Sequence, residues 1–249
     1  MRSGPGGPGP ADVAEVDNGI DELRRARAAV LEQIVAACDR AGRDPATVTL
    51  VAVSKTVPVE RLRLAVAAGL DLLGENRVQE LVAKAGEVPG ARWHLVGPLQ
   101  SNKVRRALDV AEMIQTVGSV ELAGRIDRLA SDTRRAAVPV LLQVNVDRDP
   151  AKAGFQPDDL PAALEHLSGL ERLDVRGLMT IGRWFERPDD ARATFAGLRE
   201  LATRLRDRWA RLGPELSMGM SDDYPVAVEE GATIVRVGRA LFGERPPVR

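Results

Sequence analysis

The strongest constraint on this chain is an alternation that repeats eight times along 249 residues. Short runs rich in Val, Ile and Leu occur at residues 49–54, 70–74, 93–97, 113–117, 138–146, 173–181, 216–220 and 233–237. Between them, apolar residues recur at helical spacing over 59–68, 78–85, 104–110, 120–134, 157–167, 188–211 and 225–230, with a last short segment at 239–244. Strands alternating with helices imply right-handed crossovers and a parallel sheet. Several of the runs are continuously apolar, as in strands covered by helices. Eight such units in about 200 residues fit a single closed (β/α)8 barrel of TIM type. A doubly wound open sheet has the same periodicity, and spacing alone does not separate the two.

Ahead of the alternation, Ile20, Leu23, Val30, Leu31, Ile34, Val35 and Cys38 mark one long amphipathic helix, with Gly42 at its expected end. Residues 1–10 are rich in Gly and Pro and read as a disordered tail; residues 11–249 read as one domain. Acids balance bases to a net charge of -1, so no global charge draws the chain to nucleic acid or anionic membrane. No apolar run reaches the roughly 18 residues of a membrane span. The tail lacks the apolar segment of a signal peptide, so a cytoplasmic protein is expected. A single cysteine excludes an internal disulfide, and Cys38 on an apolar helix face reads as a small buried hydrophobe. With only two histidines, a His-rich metal site is not expected.

In a barrel, chemistry sits where the strands end. The first run ends in Val53-Ser54-Lys55-Thr56, which aims the Lys55 amine into the partly desolvated mouth, where Schiff-base chemistry becomes available. On composition alone Lys55 reads more readily as a surface lysine at a strand end. The second run ends in Gly74-Glu75-Asn76-Arg77; Asn76 supplies a donor and an acceptor next to Lys55, or else caps the following helix. His94 lies before the apolar end of the third run and reads as a structural histidine. The seventh and eighth runs end in Ser217-Met218-Gly219-Met220-Ser221-Asp222-Asp223 and Val235-Arg236-Val237-Gly238-Arg239. Barrels often bind phosphate between these two loops, so Ser221 Oγ with the amides of Gly238 and Arg239 suits a phosphate monoester. Arg236 points its guanidinium into the mouth, where burial demands a partner, either an acid or a ligand. Glycines 74, 97, 182, 219 and 238 at strand-to-helix junctions would let backbone approach a ligand closely.

Six stretches, in order, carry a family resemblance: Val51 to Thr56, Gly74 to Glu80, Trp93 to Lys103, Arg176 to Thr180, Leu216 to Asp223, and Val235 to Gly238 with Ala240 to Gly243. They resemble the pyridoxal phosphate homeostasis proteins of YggS/PROSC type. The resemblance implies a barrel like the N-terminal domain of alanine racemase, with pyridoxal 5'-phosphate (PLP) as a Schiff base on Lys55. It also implies phosphate on Ser221 and the amides of Gly238 and Arg239, Arg236 facing the pyridine nitrogen, and Asn76 beside the cofactor. Position 239 is often threonine in that family, so only the backbone contact carries over to Arg239. An arginine on the pyridine nitrogen disfavours its protonation and weakens the ring as an electron sink. Racemases add a tyrosine from a second domain of the partner chain, whereas this sequence has one tyrosine, Tyr224, after the seventh run. The implied function is a monomeric PLP carrier or buffer serving apo-enzymes, with no catalytic residue of its own. A PLP-dependent amino-acid racemase is the alternative. A cofactor-free aldolase would share Lys55 and the phosphate loops but leave Arg236 and Asn76 without a role.

Overall fold

The computed structural model of the chain describes residues 10–133 and 136–243. The strands are β1 (Thr49–Val53), β2 (Leu72–Glu75), β3 (Arg92–Leu95), β4 (Met113–Val117), β5 (Val138–Gln143), β6 (Leu173–Met179), β7 (Glu215–Ser217) and β8 (Ile234–Val237). The helices are α1 (Pro10–Ala41), α2 (Val59–Ala67), α3 (Val78–Ala85), α4 (Val104–Val110), α5 (Val120–Ala130), α6 (Leu160–Leu167), α7 (Arg192–Arg206), α8 (Tyr224–Glu229) and α9 (Arg239–Phe242). All eight strands are parallel and close in sequence order, β1-β2-β3-β4-β5-β6-β7-β8. Closure is made by β8 against β1, with Val51 opposite Arg236 and Ala52 opposite Val237. That pairing decides for the barrel over the open sheet.

Two apolar layers hold it. Val51, Leu72, Val96, Met113, Leu141, Met179 and Ile234 fill the barrel interior. The larger layer lies between the strands and the helix ring. Helix α5 shows how the sequence builds that ring: Ser119 caps it by accepting from the Leu122 amide at 3.2 Å, and Ala123, Ile126 and Ala130 form its buried stripe. Helix α7 has no side-chain cap but buries a similar stripe of Phe195, Leu198, Leu201, Ala202 and Leu205. Helix α1 packs on α2, α8 and α9, the helices that flank the β8–β1 seam. Leu23, Val30, Ile34, Ala37 and Cys38 form its buried face, and burial pushes the Cys38 thiol up. At the end of α1, Arg43 Nη2 donates to Ala232 O at 2.9 Å and Arg40 pairs with Glu229 at 2.7 Å, tying it to α8.

Pro10, read from sequence as tail, is the first residue of α1, a position where the missing N–H costs nothing. The rest of the expected tail, residues 1–9, lies outside the described residues, as do 134–135 and 244–249. Five strands end earlier than their apolar runs: β1 by one residue, β3 by two, and β5, β6 and β7 where the chain enters the loops that follow. Past Gln143 the chain leaves the ladder because Val144 pairs with Phe155, folding the β5–α6 loop back on itself. Past Met179, Ile181 and Gly182 give their carbonyls to Lys152 of that loop. Past Ser217 the chain turns at Gly219, whose φ is +88°. Of the apolar residues beyond these points, Ile181 and Met220 line the mouth, while Val144, Val146 and Met218 pack into the layer between strands and helices.

Candidate functional site

The C-terminal ends of β1, β2 and β8 and the loops after β6 and β7 enclose a cavity of about 480 Å³. Lys55, Asn76, Ser221, Arg236, Gly238 and Arg239 all line it. Every residue read from sequence as a site candidate therefore meets at one place. Trp184 stands at the rim with 81 % of its surface exposed.

Lys55 sits in a tight turn one residue beyond a buried serine. Thr56 takes a left-handed φ of +66°, unusual for a β-branched residue and strained accordingly. Its hydroxyl donates back to Lys55 O at 2.5 Å. Beneath the turn lies a polar cluster. Glu75, fully buried, accepts from Lys84 Nζ at 2.6 Å and from Ser54 Oγ at 2.9 Å. Lys84 also donates to Ser54 O at 2.9 Å, and the second Glu75 oxygen accepts from the Asn76 amide at 3.3 Å. The cluster thus fixes both the backbone before Lys55 and the backbone of Asn76. Asn76 is not a helix cap: Arg77 occupies that position on α3, without a side-chain bond. Gly97 packs directly on Asn76, where a Cβ would lie 2.2 Å from Asn76 O. Its close approach is to the neighbouring strand end and not to a ligand, which corrects the reading from sequence. Among the five junction glycines, Gly238 is the one that lines the cavity.

Across the mouth, Ser221 Oγ accepts from the Gly238 amide at 3.1 Å. Ser221 is presented by a turn locked by Asp223, whose carboxylate accepts from the Met220 amide at 2.6 Å. Burial holds the Asp223 carboxyl above its ordinary range despite that bond. The Arg239 guanidinium pairs with Asp222, leaving the Arg239 backbone as the part expected to face a ligand. Arg236 is 4 % exposed, and Nη1 and Nη2 donate to Ser217 Oγ at 2.7 Å and Thr180 O at 2.9 Å. Burial pushes it down to about 10, with Asp223 opposing, so it stays cationic at neutral pH. Among the described residues no carboxylate lies within ion-pair distance of it. A buried cation with neutral partners only is a site prepared for an acceptor.

The alanine racemase N-terminal domain family matches residues 23–246. A pyridoxal phosphate homeostasis protein of Aquifex aeolicus is 42% identical over 92% of this chain and 99% of its own length. The chain belongs to the pyridoxal phosphate homeostasis protein family. PipY of Synechococcus elongatus has been solved with PLP bound; it is 43% identical to this family member, with a TM-score of 0.75, over 86% of this chain and 100% of its own. An alanine racemase of Clostridium difficile, 18% identical with a TM-score of 0.70, matches 91% of this chain and 58% of its own, and shows the shared barrel alone.

In this family member, several polar residues that build the site were not singled out from sequence: Ser54, Glu75 and Lys84 beneath Lys55, and Ser217, Gln115 and Thr180 around Arg236. A signal existed for two of them. Lys84 shares the apolar face of α3 with Val78 and Leu81, and Gln115, with Thr116, places polar side chains in a fully buried strand. Polar groups in such places require buried partners.

Proposed function

We propose that this chain is a PLP-binding protein of cofactor homeostasis, holding PLP covalently on Lys55 and buffering or delivering it without turning over a substrate. The observation that carries this reading is the convergence of Lys55, Arg236, Ser221 and Gly238 on one cavity, in a chain 43% identical to a protein solved with PLP bound. When bound, PLP supplies an electrophilic aldehyde carbon and an electron-withdrawing pyridine ring. The residues present fit that group. Lys55 offers the primary amine. Ser221 Oγ and the Gly238 amide, hydrogen-bonded to each other here, converge where a phosphate finds a hydroxyl and a backbone donor, with the Arg239 backbone beside them. Arg236 would donate to the pyridine nitrogen and disfavour its protonation, which would suppress carbanion chemistry. Asn76, which lines the cavity from the end of β2, would flank the cofactor.

Two observations support holding over turnover. The single tyrosine is committed elsewhere: Tyr224 Oη donates to Gln33 of α1 at 2.9 Å and burial raises its pKa. The buried imidazole of His94 is held neutral and bonded to Gln115. The reading extends to a monomeric unit over residues 11–249, working in the cytoplasm with apo PLP-dependent enzymes as recipients and with neither nucleic acid nor membrane as partner. Among the described residues no helix is long and apolar enough to cross a membrane. The test is incubation of the PLP-loaded protein with L-alanine in deuterated water. The α-proton should exchange no faster than with free PLP; rapid exchange that Lys55→Ala abolishes would establish the racemase alternative instead.

A further inference from the structure

A line of hydrogen bonds runs under the cavity, from Arg236 on β8 across the barrel to His94 on β3. Arg236 Nη1 donates to Ser217 Oγ at 2.7 Å. Ser217 Oγ donates to Gln115 Oε1 at 2.6 Å. Gln115 Nε2 donates to His94 Nδ1 at 2.8 Å. Ser217 and Gln115 are fully buried, and His94 is 5 % exposed. None of Ser217, Gln115 and His94 lines the cavity.

The direction of the line matters. A guanidinium only donates, so Ser217 must accept from it and send its own hydrogen elsewhere. A serine hydroxyl is otherwise a free rotor, and it fixes nothing unless that hydrogen has a target. The Gln115 carbonyl is the target, and Gln115 is in turn oriented because its amide hydrogen is spent on the unprotonated Nδ1 of His94. Burial keeps His94 in that state at neutral pH, down to about 4. The second anchor of Arg236, Thr180 O, belongs to the backbone and needs no such help. Arg236 has no carboxylate within ion-pair distance among the described residues, so these two acceptors set the plane of its guanidinium.

We propose that Ser217 and Gln115 are positioning residues, which aim the Arg236 guanidinium at the cavity and thereby set how it meets the ring of bound PLP. The proposal rests on the reading of Arg236 given under the proposed function. Its test uses full-length protein loaded with PLP and reads the visible absorption maximum and the PLP dissociation constant. Gln115→Met keeps the side-chain volume and removes both hydrogen bonds; Ser217→Ala removes the hydroxyl and leaves Gln115 on His94; Arg236→Gln is the reference. Both variants should move the absorption maximum in the same direction as Arg236→Gln and weaken PLP about tenfold, the scale of one hydrogen bond to a charged group. If Arg236→Gln moves both readouts while Gln115→Met and Ser217→Ala lower only the Tm, the positioning role is overturned and the parent reading stands. If Arg236→Gln itself moves neither readout, the assignment of Arg236 falls, and this proposal with it.

Discussion

His94 is a residue on which the fold places a measurable load. Burial holds its imidazole down to about 4 from the ordinary 6.5, so the unfolded chain takes up a proton near pH 6.5 that the folded chain refuses until about 4. With the folded pKa depressed, this contribution to stability is complete above pH 6.5 and drains away as pH falls towards 4. By pH 5 the loss comes to about 2 kcal/mol. Asp223 and Glu215, both raised by burial, act in the opposite sense, losing stability as pH rises through their folded values. The share of His94 is therefore read as a difference: urea denaturation at pH 7.5 and pH 5 should show a drop in the native protein larger by about 2 kcal/mol than in His94→Gln. Equal drops in the two proteins would contradict it. At this scale the sequence was legible for the placement of a residue just past an apolar strand, as with Lys55, which the fold brings to the cavity. It was silent on Ser217, Gln115 and Glu75, whose roles depend on which strands lie opposite one another.

At the scale of elements, the turn between β7 and α8 carries more than its length suggests. Gly219 holds a φ of +88°, and a Cβ there would lie 2.6 Å from Ala227 Cβ and 2.9 Å from Tyr224 Cα. The turn ends β7, receives the Arg236 amide on Gly219 O at 3.1 Å, and presents Ser221 to the Gly238 amide. Gly219→Ala combines left-handed backbone strain with an overpacked contact, together about 2–4 kcal/mol. Urea denaturation should show that loss, with PLP affinity falling alongside because Ser221 is displaced; full stability with native affinity would show that the turn accommodates a side chain. The apolar runs located all eight strands but overran β1, β3, β5, β6 and β7. Hydrophobicity marks burial, and past these strand ends burial comes from the loops and helices packed there, not from a neighbouring strand. Lys152 holding Ile181 O at 3.1 Å is a loop contact of this kind.

For the whole molecule, closure is what makes the site. Lys55 and Arg236 are separated by most of the chain, and they share a cavity only because β8 returns to pair with β1. Helix α1 buttresses that seam from outside through α2, α8 and α9. The eightfold alternation was legible in the sequence because each unit repeats the same strand and helix periodicities, and the count of eight pointed to a closed barrel. Periodicity is local and did not by itself separate that barrel from an open sheet, which the β8–β1 pairing does. The most direct measurement on the central claim is the visible spectrum of the protein with added PLP, before and after borohydride, followed by peptide mass mapping. The result expected is an adduct fixed on the peptide that carries Lys55, and none in Lys55→Ala. An adduct confined to another lysine, or no adduct with PLP in excess, would contradict the assignment of this cavity to PLP.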